Sequence, residues 1–119
     1  MRLEQTDTVD FLGVEKGTGV VMVTLVDDCD WSNESRHLQL LQSKLNRYLD
    51  FIESGEVYQE LLRTTGYEVA VGSPVTISIL AKFPFQGEGQ RFLDHVERVA
   101  REAGVRFSFK VIGPNKQSE

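Results

Sequence analysis

An α+β fold is what this sequence predicts: a β-β-α-(α)-β-α-β order folded as a two-layer sandwich, with a mixed sheet of about four strands and two main helices packed on one face. Three observations lead there. Residues 35–53 repeat apolar side chains at three- and four-residue steps, which marks one long amphipathic helix. Residues 75–83 alternate apolar with polar side chains, which marks a half-buried strand. The last third of the chain reads strand–helix–strand, a parallel pair with a right-handed crossover when both strands share a sheet.

Each element follows in order. Residues 8–14 read as a strand, and Glu15-Lys16-Gly17-Thr18-Gly19 as a turn whose glycines accept positive φ. Val20-Val21-Met22-Val23-Thr24-Leu25-Val26 is rich in β-branched residues and forms the second arm of the hairpin. Asp27 to Asn33 is a polar connection in which Asp30, Ser32 and Asn33 are good helix N-caps. The long helix then runs to Ser54-Gly55, and residues 56–63 suit a further short helical piece. In residues 64–73, Tyr67, Val69 and Val71 alternate with Glu68 and Ala70, so a short strand or edge segment is expected. Pro74 resets the chain ahead of the strand from Val75 to Phe83. Residues 83–89 are a loop. Residues 90–103 form a helix with Phe92, Val96, Val99, Ala100 and Ala103 on one stripe, closed by Gly104 at the C′ position. Val105, Phe107, Phe109 and Val111 alternate with Arg106, Ser108 and Lys110 in the last strand.

The far face of this sheet would then show Thr76, Ser78, Lys82, Arg106, Ser108 and Lys110, beside the more apolar outer side of residues 20–26. That strand is apolar on both faces. Either it is central and covered, or its outer face packs on a second subunit.

A chain of 119 residues has room for one domain, residues 1–119, with 113–119 as a polar tail. It buries roughly two thirds of its unfolded surface, enough for a core without staples. Its 13 basic and 18 acidic residues leave a net charge of −5. That balance argues against a nucleic-acid partner and against an anionic membrane. Cys29 is the only cysteine, so no internal disulfide or thiolate cluster can form. The first residues lack the apolar stretch of a signal peptide, and no apolar run approaches the roughly 20 residues that span a bilayer. A cytoplasmic protein is expected.

The long helix supplies the first candidate site. Leu38, Leu41, Leu45, Tyr48, Leu49 and Ile52 share one stripe at about 100° per residue, which predicts the core face. Leu40 and Phe51 fall on a neighbouring flank, with His37 and Lys44 projecting between them. An imidazole, an ammonium and two large apolar groups on one side make a partner or ligand groove. The packing alternative is a wide buried face with His37 and Lys44 snorkelling at its edge. Trp31, just ahead, is either an aromatic anchor for a partner or a staple on the first turns of the helix.

The acidic corner is the second candidate: Asp27, Asp28 and Asp30, with Asp7 and Asp10 returned near them by the hairpin. Crowded carboxylates hold a hard cation or serve as acid and base. They equally cap a helix and sit well at its positive end. The glycine and closing glutamate of a calcium loop are missing, so no metal site is expected, and these three aspartates stand only as the residues that would hold one. No catalytic set emerges. Cys29 lies between acids, which raises a thiol's pKa. His37 and His95 lie on different helices, and no serine occupies a G-x-S-x-G elbow. Gly87-Glu88-Gly89 lacks the lysine of a phosphate loop. No cofactor is expected.

The segment Trp31…His37-Leu38-Gln39-Leu40-Leu41-Gln42-Ser43-Lys44-Leu45-Asn46-Arg47-Tyr48-Leu49-Asp50-Phe51-Ile52-Glu53-Ser54-Gly55-Glu56-Val57-Tyr58 resembles a group of small uncharacterised bacterial proteins that share a domain of unknown function. Asp7 to Val14, the Gly-Val strand ending at Asp27, and the closing strand–helix–strand are similar too. The resemblance covers nearly the whole chain and implies no activity, so no catalytic residue follows from it. The function expected is a non-enzymatic interaction or adaptor domain, as a homodimer or the binder of another protein. The alternative is a small metal-dependent or acid–base enzyme at the acidic corner.

Overall fold

The computed structural model describes residues 2–112. After a short 3-10 turn, Arg2–Glu4, the elements are β1 (Phe11–Val14), β2 (Val21–Asp27), α1 (Glu34–Glu53), α2 (Glu56–Thr65), β3 (Val75–Ala81), α3 (Glu88–Glu102) and β4 (Arg106–Val111). The sheet order is β1-β2-β3-β4, with β1 antiparallel to β2 and the other neighbours parallel. This is the expected mixed four-stranded sheet in an α+β arrangement.

Both parallel connections step in the same direction across the sheet. Right-handed crossovers therefore put α1, α2 and α3 on the same side. The burial pattern agrees. Val21, Val23, Leu25 and Asp27 on β2 are buried, and so are Val75, Ile77, Ile79 and Ala81 on β3. They join Leu41, Leu45, Tyr48, Phe51, Val57, Leu61, Leu93 and Ala100 from the helices in one core. Leu3 in the 3-10 turn plugs its edge. At about 25 cal/mol per Å² of apolar surface, such a core is the main favourable contribution to folding.

Two local departures from expectation have clear causes. The first strand starts at Phe11, not residue 8. The Asp10 carboxylate accepts the Val26 N–H at 2.8 Å, taking the ladder position that a longer strand would fill. Residues 67–71 form no strand despite their alternation. Gly66 ends α2 at φ 74°, Ser73 N–H turns back to the Ala70 carbonyl, and the Ser73 carbonyl accepts from the Tyr58 hydroxyl at 2.8 Å. That leaves Tyr67 and Val71 exposed, Val71 at 83%, while Val69 packs on the core. The α1–α2 junction turns at Gly55, whose φ of 85° suits a residue without Cβ. Asn33 caps α1, its side chain accepting from Arg36 N–H at 3.2 Å.

Candidate functional site

The buried face of α1 is His37, Leu41, Lys44, Leu45, Tyr48 and Phe51. Relative to the stripe of leucines, it is rotated by roughly 60° about the helix axis, given about 100° per residue. Leu38, Leu49 and Ile52, expected at the centre of the core face, are only half-buried. His37 and Lys44 do not snorkel at an edge: both are 0% exposed. This corrects the placement of the His37/Leu40/Lys44/Phe51 flank. Leu40 packs on the margin of the core and Phe51 is buried, so the four side chains line no open groove.

Two aspartates make that burial affordable. Asp27, the last residue of β2, faces α1. Its Oδ2 lies 2.6 Å from His37 Nε2, with both side chains almost fully enclosed. Its Oδ1 accepts the Cys29 N–H at 3.1 Å. His37 Nδ1 lies 3.0 Å from the Asp30 carbonyl, which can only accept, so Nδ1 carries a hydrogen. The Nε2–Oδ2 contact is the ring's second hydrogen bond. Trp31 stacks flat on the imidazole, with centroids 3.6 Å apart at 23°, and Phe85 meets the indole edge-on at 4.8 Å. Trp31 thus does more than staple the helix: it forms the wall that seals His37.

About two turns further along α1, Lys44 Nζ donates to both oxygens of Asp10, at 3.0 and 2.9 Å. Asp10 N–H donates to the Tyr48 hydroxyl at 2.9 Å, and that hydroxyl donates to the Thr24 carbonyl at 2.8 Å. The pair is therefore embedded in a network that ties the start of β1, the middle of β2 and α1 together. Buried ion pairs are costly to desolvate and hold one geometry when their remaining polar atoms are satisfied.

The acidic corner does not converge. Asp27 is turned inward to His37. Asp28 Oδ1 accepts from Leu3 N–H at 3.4 Å. Asp30 points outward, accepting from the Ser32 N–H at 3.0 Å and its hydroxyl at 2.7 Å. Those bonds, the hydroxyl's first, hold the Asp30 carboxyl below its ordinary pKa of 3.8. Among the described residues, no three His, Cys, Asp or Glu side chains are grouped closely enough to hold a metal ion. Burial pushes the Cys29 thiol above 9.0, and Asp27, Asp30 and Asp28 push it further. Gly89, read as part of a loop, lies in the first turn of α3. A Cβ there would meet Trp31 Cη2 at 2.8 Å, so this glycine makes room for the indole.

Two surface features bear on function. An apolar groove between α1 and α3 is lined by Leu45, Leu49, Ile77, Phe92, Val96 and Val99, with His95 at its rim. The second is the whole face of the sheet opposite the helices. Phe11, Met22, Val26 and Leu80 lie on it, and none belongs to the core or packs against it. Thr24, Thr76 and Ser78 fill the middle, and Arg106, Ser108 and Lys110 line the β4 side.

Sequence reasoning saw His37 and Lys44 as unusual and set His37 with Asp27 only in the enzyme alternative; it missed the Lys44–Asp10 pair and Asp10 as a buried carboxylate. The signal available was a lysine seven residues after a histidine, both at core-compatible positions, opposite two strands that each carry one inward carboxylate.

The chain belongs to a family of unknown function, DUF6572, whose family model matches residues 1–113. No curated protein and no solved structure is significantly similar to it.

Proposed function

We propose that this member of the family is a non-enzymatic protein-interaction module whose working surface is the open face of the sheet. One observation carries the reading: all three helices cover one side of the sheet, and four large apolar residues, Phe11, Met22, Val26 and Leu80, stand on the other. A face of that composition gains free energy when a partner removes it from water. The buried polar groups support the same reading from the other side. His37, Asp27, Lys44 and Asp10 are turned to one another and enclosed, so they build the scaffold rather than meet a substrate.

The acid–base enzyme alternative draws on the 2.6 Å His37–Asp27 contact. It requires Trp31 and Phe85 to leave the imidazole, and its test is a rise in melting temperature with a divalent ion. A cytoplasmic location is part of our reading. It is supported by the lone Cys29 and by the lack, among the described residues, of any helix long and apolar enough to cross a membrane. The net charge of −5 favours a protein partner over nucleic acid.

The test is photo-crosslinking in cells. A photoreactive residue at Ser78, at the centre of the open face, is expected to give an adduct of one discrete mass. The same residue at Glu97, on the outer side of α3, is expected to give none. The adduct should vanish in a Leu80→Lys chain that keeps its melting temperature. A Ser78 probe that gives nothing above the Glu97 background overturns the proposal.

A further inference from the structure

The strand register tells which residues of the open face lie side by side. One row across the sheet is Gly13, Met22, Thr76 and Arg106. The next is Phe11, Thr24, Ser78 and Ser108. A third holds Val26, Leu80 and Lys110. The face is graded along each row. Its apolar weight lies on β1, β2 and β3, and the cations Arg106 and Lys110 lie on β4, with Lys82 just past the end of β3.

We infer that the occupant of this face is a second copy of the same chain, packed sheet on sheet about a two-fold axis parallel to the strands and midway between β2 and β3. This rests on the interaction reading above and names its partner. The axis exchanges β1 with β4 and β2 with β3 while keeping each row level. The pairings it creates set Phe11 and Arg106 over small residues and bring apolar and hydroxyl side chains together at the centre. Phe11 sits over the partner's Ser108, between the partner's Arg106 and Lys110, where cations favour an aromatic ring. Arg106 lies over the partner's Gly13, where an added Cβ would meet nothing within 4 Å. One pleat further, about 7 Å along the strand, is Glu15, which is exposed and accepts from the Thr18 hydroxyl of its own turn at 2.7 Å. Arg106 reaches that carboxylate. Met22 covers the partner's Thr76, Val26 meets Leu80, and Thr24 meets Ser78. The alternative two-fold, perpendicular to the strands, stacks β4 on β4 and sets Arg106 against Lys110, two cations.

Edge-to-edge pairing through β4 fails for the same reason. An antiparallel β4–β4 ladder centred on Ser108 also places Arg106 beside Lys110, so those cations guard the edge while serving the face. The footprint sets the strength. Four strands about 4.8 Å apart and six residues at about 3.3 Å give a face about 20 Å square. Two such faces bury roughly 800 Å² before side-chain relief, below the roughly 1,200 Å² at which stable interfaces begin and in the range of weak, transient contacts. A weak, reversible dimer is the consequence.

The experiment is sedimentation velocity of the full chain from about 1 µM to about 1 mM, a range over which a weak dimer forms. The wild type should pass from monomer to dimer. Glu15→Lys and Arg106→Glu are both exposed changes, and each should weaken the dimer about tenfold or more. The two together should regain most of the loss, because the pair is restored with its signs exchanged. Circular dichroism confirms that each variant is folded. A wild type that stays monomeric throughout overturns the inference, and so does a dimer indifferent to both single changes. A Ser78 crosslink to a different protein, with a monomeric wild type, overturns the second copy but leaves the interaction module standing. No crosslink and no dimer removes both.

Discussion

Replacing Asp10 by alanine should nearly unfold the protein. The Asp10 carboxylate holds the Lys44 ammonium through two bonds of 3.0 and 2.9 Å, with both side chains about 1% exposed or less. Removing it leaves an enclosed ammonium without its counter-ion, which costs about 3–5 kcal/mol. The same carboxylate satisfies the Val26 N–H at 2.8 Å. Orphaning that donor adds about 1–3 kcal/mol. The sum, about 4–8 kcal/mol, is most of the 5–15 kcal/mol by which domains are stable. Lys44→Met retains the Val26 bond but strands the carboxylate, for about 3–5 kcal/mol. The double variant carries neither charge and keeps only the Val26 defect, so it should lie about 1–3 kcal/mol below wild type. The coupling energy between the two sites is then about 6 kcal/mol or more, the two stranded-charge costs together. Urea unfolding followed by Trp31 fluorescence measures all four chains, at an equal slope if the native state is preserved. If the two single changes each cost less than about 1 kcal/mol and simply add, Lys44 is not held by Asp10 and the network described here is wrong.

Tyr48→Phe removes the hydroxyl between Asp10 N–H and the Thr24 carbonyl, and should cost about 1–3 kcal/mol by denaturant titration without changing the far-ultraviolet spectrum. Gly89→Ala places a methyl against the Trp31 ring, which His37 and Phe85 pin from two sides. A loss of about 1–3 kcal/mol and a shifted Trp31 emission are expected, and an unchanged melting curve would show that the indole has room to move. Cys29 should alkylate more slowly at pH 8 than a free thiol, because burial and the neighbouring aspartates disfavour its thiolate. The folded thiol holds its proton to higher pH than the unfolded one. Stability from this group is therefore full below 9.0 and falls as pH rises through the higher folded value. A Cys29→Ser chain should lose that alkaline slope.

The sequence by itself determined the element order and the sheet's mixed character. Period-two and period-3.6 patterns are local, and the two β-α-β connections follow from chirality rather than from any particular contact. It also determined that residues 76, 78, 106, 108 and 110 face away from the helices, since alternation along a strand leaves no other choice. Tertiary structure alone decided which way α1 is rotated. A hydrophobicity pattern ranks leucine above lysine, so it turned Leu38 and Leu49 inward and His37 and Lys44 to the edge. The folded chain does the reverse because Asp27 and Asp10 reach the same interior from residues 10 and 34 positions away in sequence. The burial of a charge is decided by its partner, and that partner is visible only once β1, β2 and α1 are brought together. The same holds for residues 67–71. Their alternation is that of a strand, but strand formation needs a neighbouring edge, and the segment pairs with none: the sheet holds only β1 to β4 among the described residues, and Ser73 turns back to the Ala70 carbonyl.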